Sequence, residues 1–196
     1  MTTRLSSLFV ALFAVPVAVF AQGSASAPAQ ARPAAPVNPI SASQSKMYTM
    51  LSGVVIAAAE KMPEENYSFR PAPDVRSFGQ LVGHLADSQY FFCSTVAGET
   101  APAGGFEKSK TSKADLLAAL KEAVAYCSKT YAAMTDAKGG EMMKMMNYDF
   151  AKLTVLSGNT AHDYEHYGNM VTYMRIKGIV PPTSEKSEKG DSPGQH

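Results

Sequence analysis

Three histidines carry the chemistry that this chain of 196 residues could perform: His84, His162 and His166. His162 and His166 are four residues apart, which on a helix separates them by about 40° around the axis and about 6 Å along it, so both imidazoles can reach one ion. A third imidazole from His84, on a different helix, would complete a three-nitrogen face and leave coordination positions for water or substrate, as catalytic metal sites do. Taken singly, each histidine is equally compatible with a partly buried residue hydrogen-bonded to a neighbour. The one other histidine, His196, lies in the C-terminal tail, so every histidine of the expected folded unit falls in this constellation.

Several polar residues stand close to the three in sequence. Asp87, one turn after His84, and Asp163 and Glu165, between the paired histidines, could accept the second N–H of a metal-bound imidazole; each could as well belong to a solvated helix face. Asn159, one turn before His162, could contact a metal-bound water or satisfy a backbone group. The run His162-Asp163-Tyr164-Glu165-His166 has the outline of the H-E-x-x-H zinc-protease helix, but the shorter Asp163 stands where the general-base glutamate is required. Glu185, which could mimic a downstream ligand, lies beyond Pro181-Pro182, so that reading is disfavoured. Tyr164, Tyr167 and Tyr173 are expected to pack or to rim a pocket. Met142-Met143-Lys144-Met145-Met146 offers thioethers that can hold soft Cu(I), although doubled methionines interrupted by lysine specify no geometry and read better as a cap over one end of the fold.

The elements that must position these residues are helical. Tyr48, Leu51, Val55, Ala58 and Met62 recur at three-and-four spacing between Ser43 and Met62, where Pro63 ends the run. A loop with three prolines follows, from Pro63 to Pro73. A second helix starts at Ser77, whose pairing with Gln80 has capping-box spacing, and runs through His84 to about Ala97 before Gly98. A third opens at Ser112 with Asp115 as capping partner, carries Leu116, Leu120, Val124, Cys127, Tyr131 and Met134, and is expected to stop at Gly139-Gly140. The last takes in Leu153, His162, His166 and Met174 and ends at Gly178. Long amphipathic segments without an alternating strand pattern predict an all-α four-helix bundle, whose facing side chains build metal sites in or near the core.

Arg4 followed by the apolar run Leu5–Phe20 and small residues at Val19-Phe20-Ala21 predicts a signal peptide over residues 1–21. The Ala/Pro/Ser stretch 22–39 reads as a disordered linker and 183–196 as a disordered tail, leaving 40–182 as the bundle. Export, to a periplasm or outside the cell, puts Cys93 and Cys127 in an oxidising compartment, where they are either a disulfide or two small buried residues. The formal net charge of +1 and scattered basic residues give no footprint for nucleic acid, and no membrane contact is expected of the mature form. A homodimer is compatible with the sequence.

The segments Ser77-Phe78-Gly79-Gln80-Leu81-Val82-Gly83-His84-Leu85-Ala86-Asp87 and His162-Asp163-Tyr164-Glu165-His166-Tyr167-Gly168-Asn169, followed by Tyr173-Met174-Arg175 and Gly178-Ile179-Val180-Pro181-Pro182, resemble the DinB-like family across the folded unit. The resemblance implies a four-helix bundle with His84, His162 and His166 as ligands of a divalent metal, zinc or nickel foremost, with manganese or iron as alternatives. It also implies kinship with thiol-dependent transferases and isomerases, but low-molecular-weight thiol cofactors belong to the cytoplasm and fit an exported chain poorly. Two functional classes follow: a metal-dependent hydrolase or transferase acting on a small molecule through an open coordination position, and a non-catalytic metal-binding or ligand-binding exported protein.

Overall fold

The computed structural model describes residues 37–185; the expected signal peptide, most of the linker and tail residues 186–196 lie outside the described residues. Four long helices dominate: α1 (Pro39–Lys61), α2 (Phe78–Ala97), α4 (Lys113–Ala132) and α6 (Lys152–Ile176). Two one-turn helices, α3 (Phe106–Ser109) and α5 (Asp136–Gly139), and an antiparallel hairpin, β1 (Met142–Met145) with β2 (Tyr148–Ala151), fill the connections. Both α1 and α2 pack against both α4 and α6, so α1 sits diagonally across the bundle from α2. Tyr48, Leu85, Leu120, Leu156, Met170 and Met174 are fully buried between them. Among the described residues no helix is long and apolar enough to cross a membrane.

Helix starts follow the capping chemistry. Ser77 accepts the amide of Gln80 while the Gln80 side chain accepts the amide of Ser77, closing both halves of the box. Ser112 accepts the amide of Asp115 in the same way. Helix α1 begins earlier than its apolar periodicity suggests, because its cap is supplied from far along the chain. The Asp136 carboxylate accepts the Ser41 amide and hydroxyl, both at 2.8 Å, and the Ile40 amide, while Asn38 Oδ1 accepts the Asp136 amide. A cap made across ninety-odd residues leaves no local signature.

Three sequence expectations need correction. The third long helix stops at Ala132, not at Gly139-Gly140, since Thr135 caps a separate turn by accepting the Lys138 amide. Residues 142–146, expected as a cap without strands, form the hairpin with residues 147–151: Met146 and Asn147 both take left-handed φ values, 48° and 69°, which suit the right-handed twist of a two-residue hairpin turn. Methionine favours helices intrinsically, so nothing in the run announces a strand. Met143 and Met145 pack against the core while Met142 and Met146 are exposed, an arrangement that caps the bundle but does not gather the sulfurs around one copper ion. Lastly, residues 183–185 of the expected tail are ordered: Thr183 bonds the Tyr167 hydroxyl and Lys61 pairs with Glu185.

Cys93 on α2 and Cys127 on α4 form a disulfide, with Cα atoms 5.2 Å apart, that ties two adjacent helices through the core. Of the two readings open for this pair, the bridge is the one realised.

Candidate metal centre

His84 projects from α2, and His162 and His166 from successive turns of α6, toward the seam where those helices pack. The Nε2 atom of His162 lies 3.1 Å from His84 Nε2 and 3.1 Å from His166 Nε2. One ligand atom from each of the three falls within 4.8 Å of the others. Protons alone do not satisfy this arrangement. His162 Nε2 is either a donor, able to serve one neighbour, or a single lone pair, so one of the two N···N contacts is always poorly matched. A cation gives all three lone pairs a common partner, and tetrahedral zinc with N ligands at 2.0–2.1 Å has nitrogen–nitrogen edges of about 3.3 Å. The donor set therefore fits a divalent ion.

Electrostatics favour the ligating state. Burial, then the neighbouring imidazoles of His166 and His84, depress His162 to about 4. Burial and His84 likewise hold His166 below the ordinary imidazole range. Both rings are thus neutral near pH 7, as metal binding requires. Phe92 closes one side, its ring centroid 5.9 Å from that of His162.

The residue that completes the site was not singled out in the sequence. Glu107, on α3, places Oε2 3.0 Å from His84 Nδ1 and accepts a hydrogen bond from Arg76 Nε through Oε1 at 2.9 Å. A carboxylate on Nδ1 fixes the imidazole tautomer, directs the Nε2 lone pair to the centre and raises its basicity. Burial pushes the Glu107 carboxyl up, but Arg76 and His84 outweigh it and hold the group below the usual glutamate value. On α6, Asn169 Nδ2 lies 3.3 Å from His166 Nδ1 and contacts that ring on its outer edge. His162 Nδ1 is buried without a partner among the described residues.

Asp87 acts one step further out than expected. Its carboxylate accepts the amides of Gly105, Phe106 and Glu107, at 2.7, 3.0 and 3.1 Å, and so anchors the turn that carries Glu107. Gly83 allows that turn to come close: a Cβ there would lie 2.7 Å from the Glu107 backbone. Asp163 does not reach the imidazoles. It turns into the core, where both its oxygens accept from Gln89 Nε2, at 2.8 and 2.9 Å, and burial lifts its carboxyl to about 7. Asn159 is equally remote, bonded through Nδ2 to Gln89 and Tyr131. Glu165 is exposed at the rim of a cleft of about 490 Å³ that opens beside His166 and is lined also by Arg76, Leu81, Glu107 and Tyr173.

A helical bundle whose seam gathers three imidazoles defines a class of candidate metal-binding protein. The particular family follows from comparison: the model of the DinB superfamily matches residues 51–170, and the chain belongs to that superfamily. Solved structures agree on the fold. A DinB-like protein of Bacillus cereus ATCC 10987 is similar with a TM-score of 0.64 at 15% identity, over 71% of this chain and 93% of that one. A DinB-like protein of Bacillus subtilis is similar with a TM-score of 0.59 at 18% identity, over 74% and 99%. No curated protein matches the chain.

Proposed function

We propose that this DinB superfamily member is an exported metal-dependent enzyme, a hydrolase or transferase of small molecules, with His84, His162 and His166 as the ligands. The observation that carries this reading is the convergence of three Nε2 atoms, two pairs at 3.1 Å, with one of the three residues, His166, lining a solvent-open cleft. Imidazole donors suit zinc or nickel best, with manganese or iron less well matched. Such an ion, when bound, supplies Lewis acidity that polarises an oxygen or sulfur donor of the substrate.

The chain's own residues do the rest. Glu107 orients His84 through its Nδ1 atom, and the Asn169 amide contacts Nδ1 of His166. Phe92 shields the His162 side from water, while the cleft beside His166 leaves room for a substrate. Three protein ligands would leave a fourth position for water or substrate, the pattern of catalytic rather than structural zinc sites. Export belongs to the same reading. It is supported by the signal-peptide pattern of residues 1–21 and by the Cys93–Cys127 bridge, since disulfides persist in oxidising compartments.

Elemental analysis of the purified chain beside His166→Ala, after both are exposed to limited zinc, nickel, manganese and copper, tests the centre. Near-stoichiometric metal in the first and little in the second is expected, and the ion found is then loaded for assays on ester, amide, phosphoester and thiol-transfer substrates. Equal metal in both proteins, or none in either, overturns the centre. Metal without turnover on any panel member overturns the enzymatic reading and leaves a non-catalytic metal-binding protein.

A further inference from the structure

The cleft beside His166 contains a guanidinium whose placement the three-histidine centre alone does not explain. Arg76 immediately precedes Ser77, the residue that caps α2. Two contacts pin it: its backbone carbonyl accepts the Tyr173 hydroxyl at 2.8 Å, and its Nε donates to Glu107 Oε1 at 2.9 Å. Glu107 is itself held by Asp87 through the backbone and by His84 through the carboxylate. The guanidinium therefore stands at a fixed place beside the imidazoles, and among the described residues neither Nη1 nor Nη2 has a hydrogen-bond acceptor.

A pinned arginine whose two terminal nitrogens are free is a planar fork that matches a carboxylate in bidentate fashion. The side chain is 40% exposed, so the fork reaches the cleft and is not spent in the core. The pairing with Glu107 uses the one nitrogen that faces away from the fork, which holds the group in place without occupying its recognition edge. Leu81 and Tyr173 supply apolar wall, and the cleft volume of about 490 Å³ suits a molecule of small-metabolite size. The exposed carboxylates Asp74 and Glu165 ring the same opening, which disfavours a multiply charged anion and favours a group with a single negative charge.

We infer that Arg76 is the specificity-determining residue of the site and binds the carboxylate of a small-molecule substrate, whose reacting group is thereby turned toward His84, His162 and His166. This rests on the proposed metal site for the identity of the reacting end, but the carboxylate subsite is a property of Arg76 and can be tested apart from it. A carboxylic acid with a second functional group several bonds away is the class of ligand that spans both.

Calorimetric titration of 4-hydroxybutyrate, a singly charged carboxylate with a neutral hydroxyl at its far end, and of inorganic phosphate into the full mature chain, zinc-loaded and metal-stripped, is the test, with Arg76→Gln, Arg76→Lys and Glu165→Gln beside it and the zinc content of each sample measured. The hydroxy acid should bind the zinc-loaded wild type more tightly than phosphate does. Arg76→Gln should keep its zinc and lose at least tenfold in hydroxy-acid affinity, with Arg76→Lys between the two because it keeps the charge but not the fork. Glu165→Gln should bind the hydroxy acid somewhat more tightly, a gain that a folding defect would not produce. If zinc is absent from every sample yet the hydroxy acid still binds the wild type and not Arg76→Gln, the metal reading fails and the carboxylate subsite survives. Hydroxy-acid affinity unchanged in a zinc-containing Arg76→Gln, tighter binding of phosphate than of the hydroxy acid, or no hydroxy-acid binding to the wild type overturns the inference.

Discussion

Two polar faces of one helix, α6, meet opposite treatment. Toward the bundle axis, Asn159, Thr160 and Asp163 enter a network with Gln89, Tyr48 and Tyr131, in which Gln89 Nε2 serves Asp163 and Gln89 Oε1 accepts from both Tyr48 and Asn159. Tyr48 and Tyr131 stack within it, ring centroids 4.0 Å apart. On the neighbouring face, His162 and His166 point their Nε2 atoms at His84 and at each other, and the available protons cannot match them. Both faces bury polar atoms, and burial alone does not mark a site. The difference lies in how far donors meet acceptors: the core network leaves Asn159 Oδ1 as its one buried atom without a partner among the described residues, whereas the converging imidazole lone pairs call for a cation.

That contrast can be broken most severely at its centre. His162→Ala should lower zinc affinity by about a thousandfold or more, roughly 4 kcal/mol, because it removes the nitrogen that bridges the other two; competition against a chelating dye measures it, and an unchanged affinity would mean the imidazoles do not share an ion. The mirror experiment is Gln89→Leu. It strands the Asp163 carboxyl in the core, while the Tyr48 hydroxyl keeps the Val124 carbonyl as acceptor at 3.3 Å, and should cost about 2–3 kcal/mol of stability in urea unfolding while zinc stoichiometry stays at the wild-type value. Loss of zinc at unchanged stability would show the two faces to be one site.

Glu107→Gln sharpens the comparison from the outside. It keeps the shape but weakens the hydrogen bond to His84 Nδ1, so zinc affinity should fall by about 10–100-fold with little change in unfolding free energy. A fall of the same size in Asp87→Asn would establish the relay from Asp87 through the Glu107 turn, since Asp87 touches no imidazole.

The smallest effect belongs to pH. Burial raises Asp163 from the ordinary carboxyl value to about 7, so the folded chain keeps a proton that the unfolded chain releases. Stability from this group is full below about pH 4 and declines as pH rises, levelling off above about pH 7. Asp163→Asn removes the decline. The metal-free variant should therefore exceed the wild type by about 1–3 kcal/mol at pH 8 and converge with it toward pH 4.5, as read from urea unfolding at both pH values. A difference independent of pH would place the proton elsewhere.

The sequence alone carries the helical periodicity that makes α1, α2, α4 and α6, and it carries the caps at Ser77 and Ser112, because helix formation and capping are decided within a few residues. It also carries the pairing of His162 with His166, since a four-residue interval on a helix is a distance in space. Glu107 was invisible there: it lies in a glycine-flanked loop with no periodicity, and its contact with His84 exists only because Gly83 and Asp87 draw that loop against α2. Asp163, adjacent to a proposed ligand, could not be assigned to one face or the other until Gln89 was seen to meet it. The long-range cap of α1 by Asp136 and the strands at Met142–Ala151 escaped for the same reason, each depending on partners brought together by folding. Local spacing determined which elements form and which histidines could share an ion, whereas tertiary packing decided which carboxylate serves the imidazoles, which is spent in the core and where the cleft opens, because those are contacts between helices.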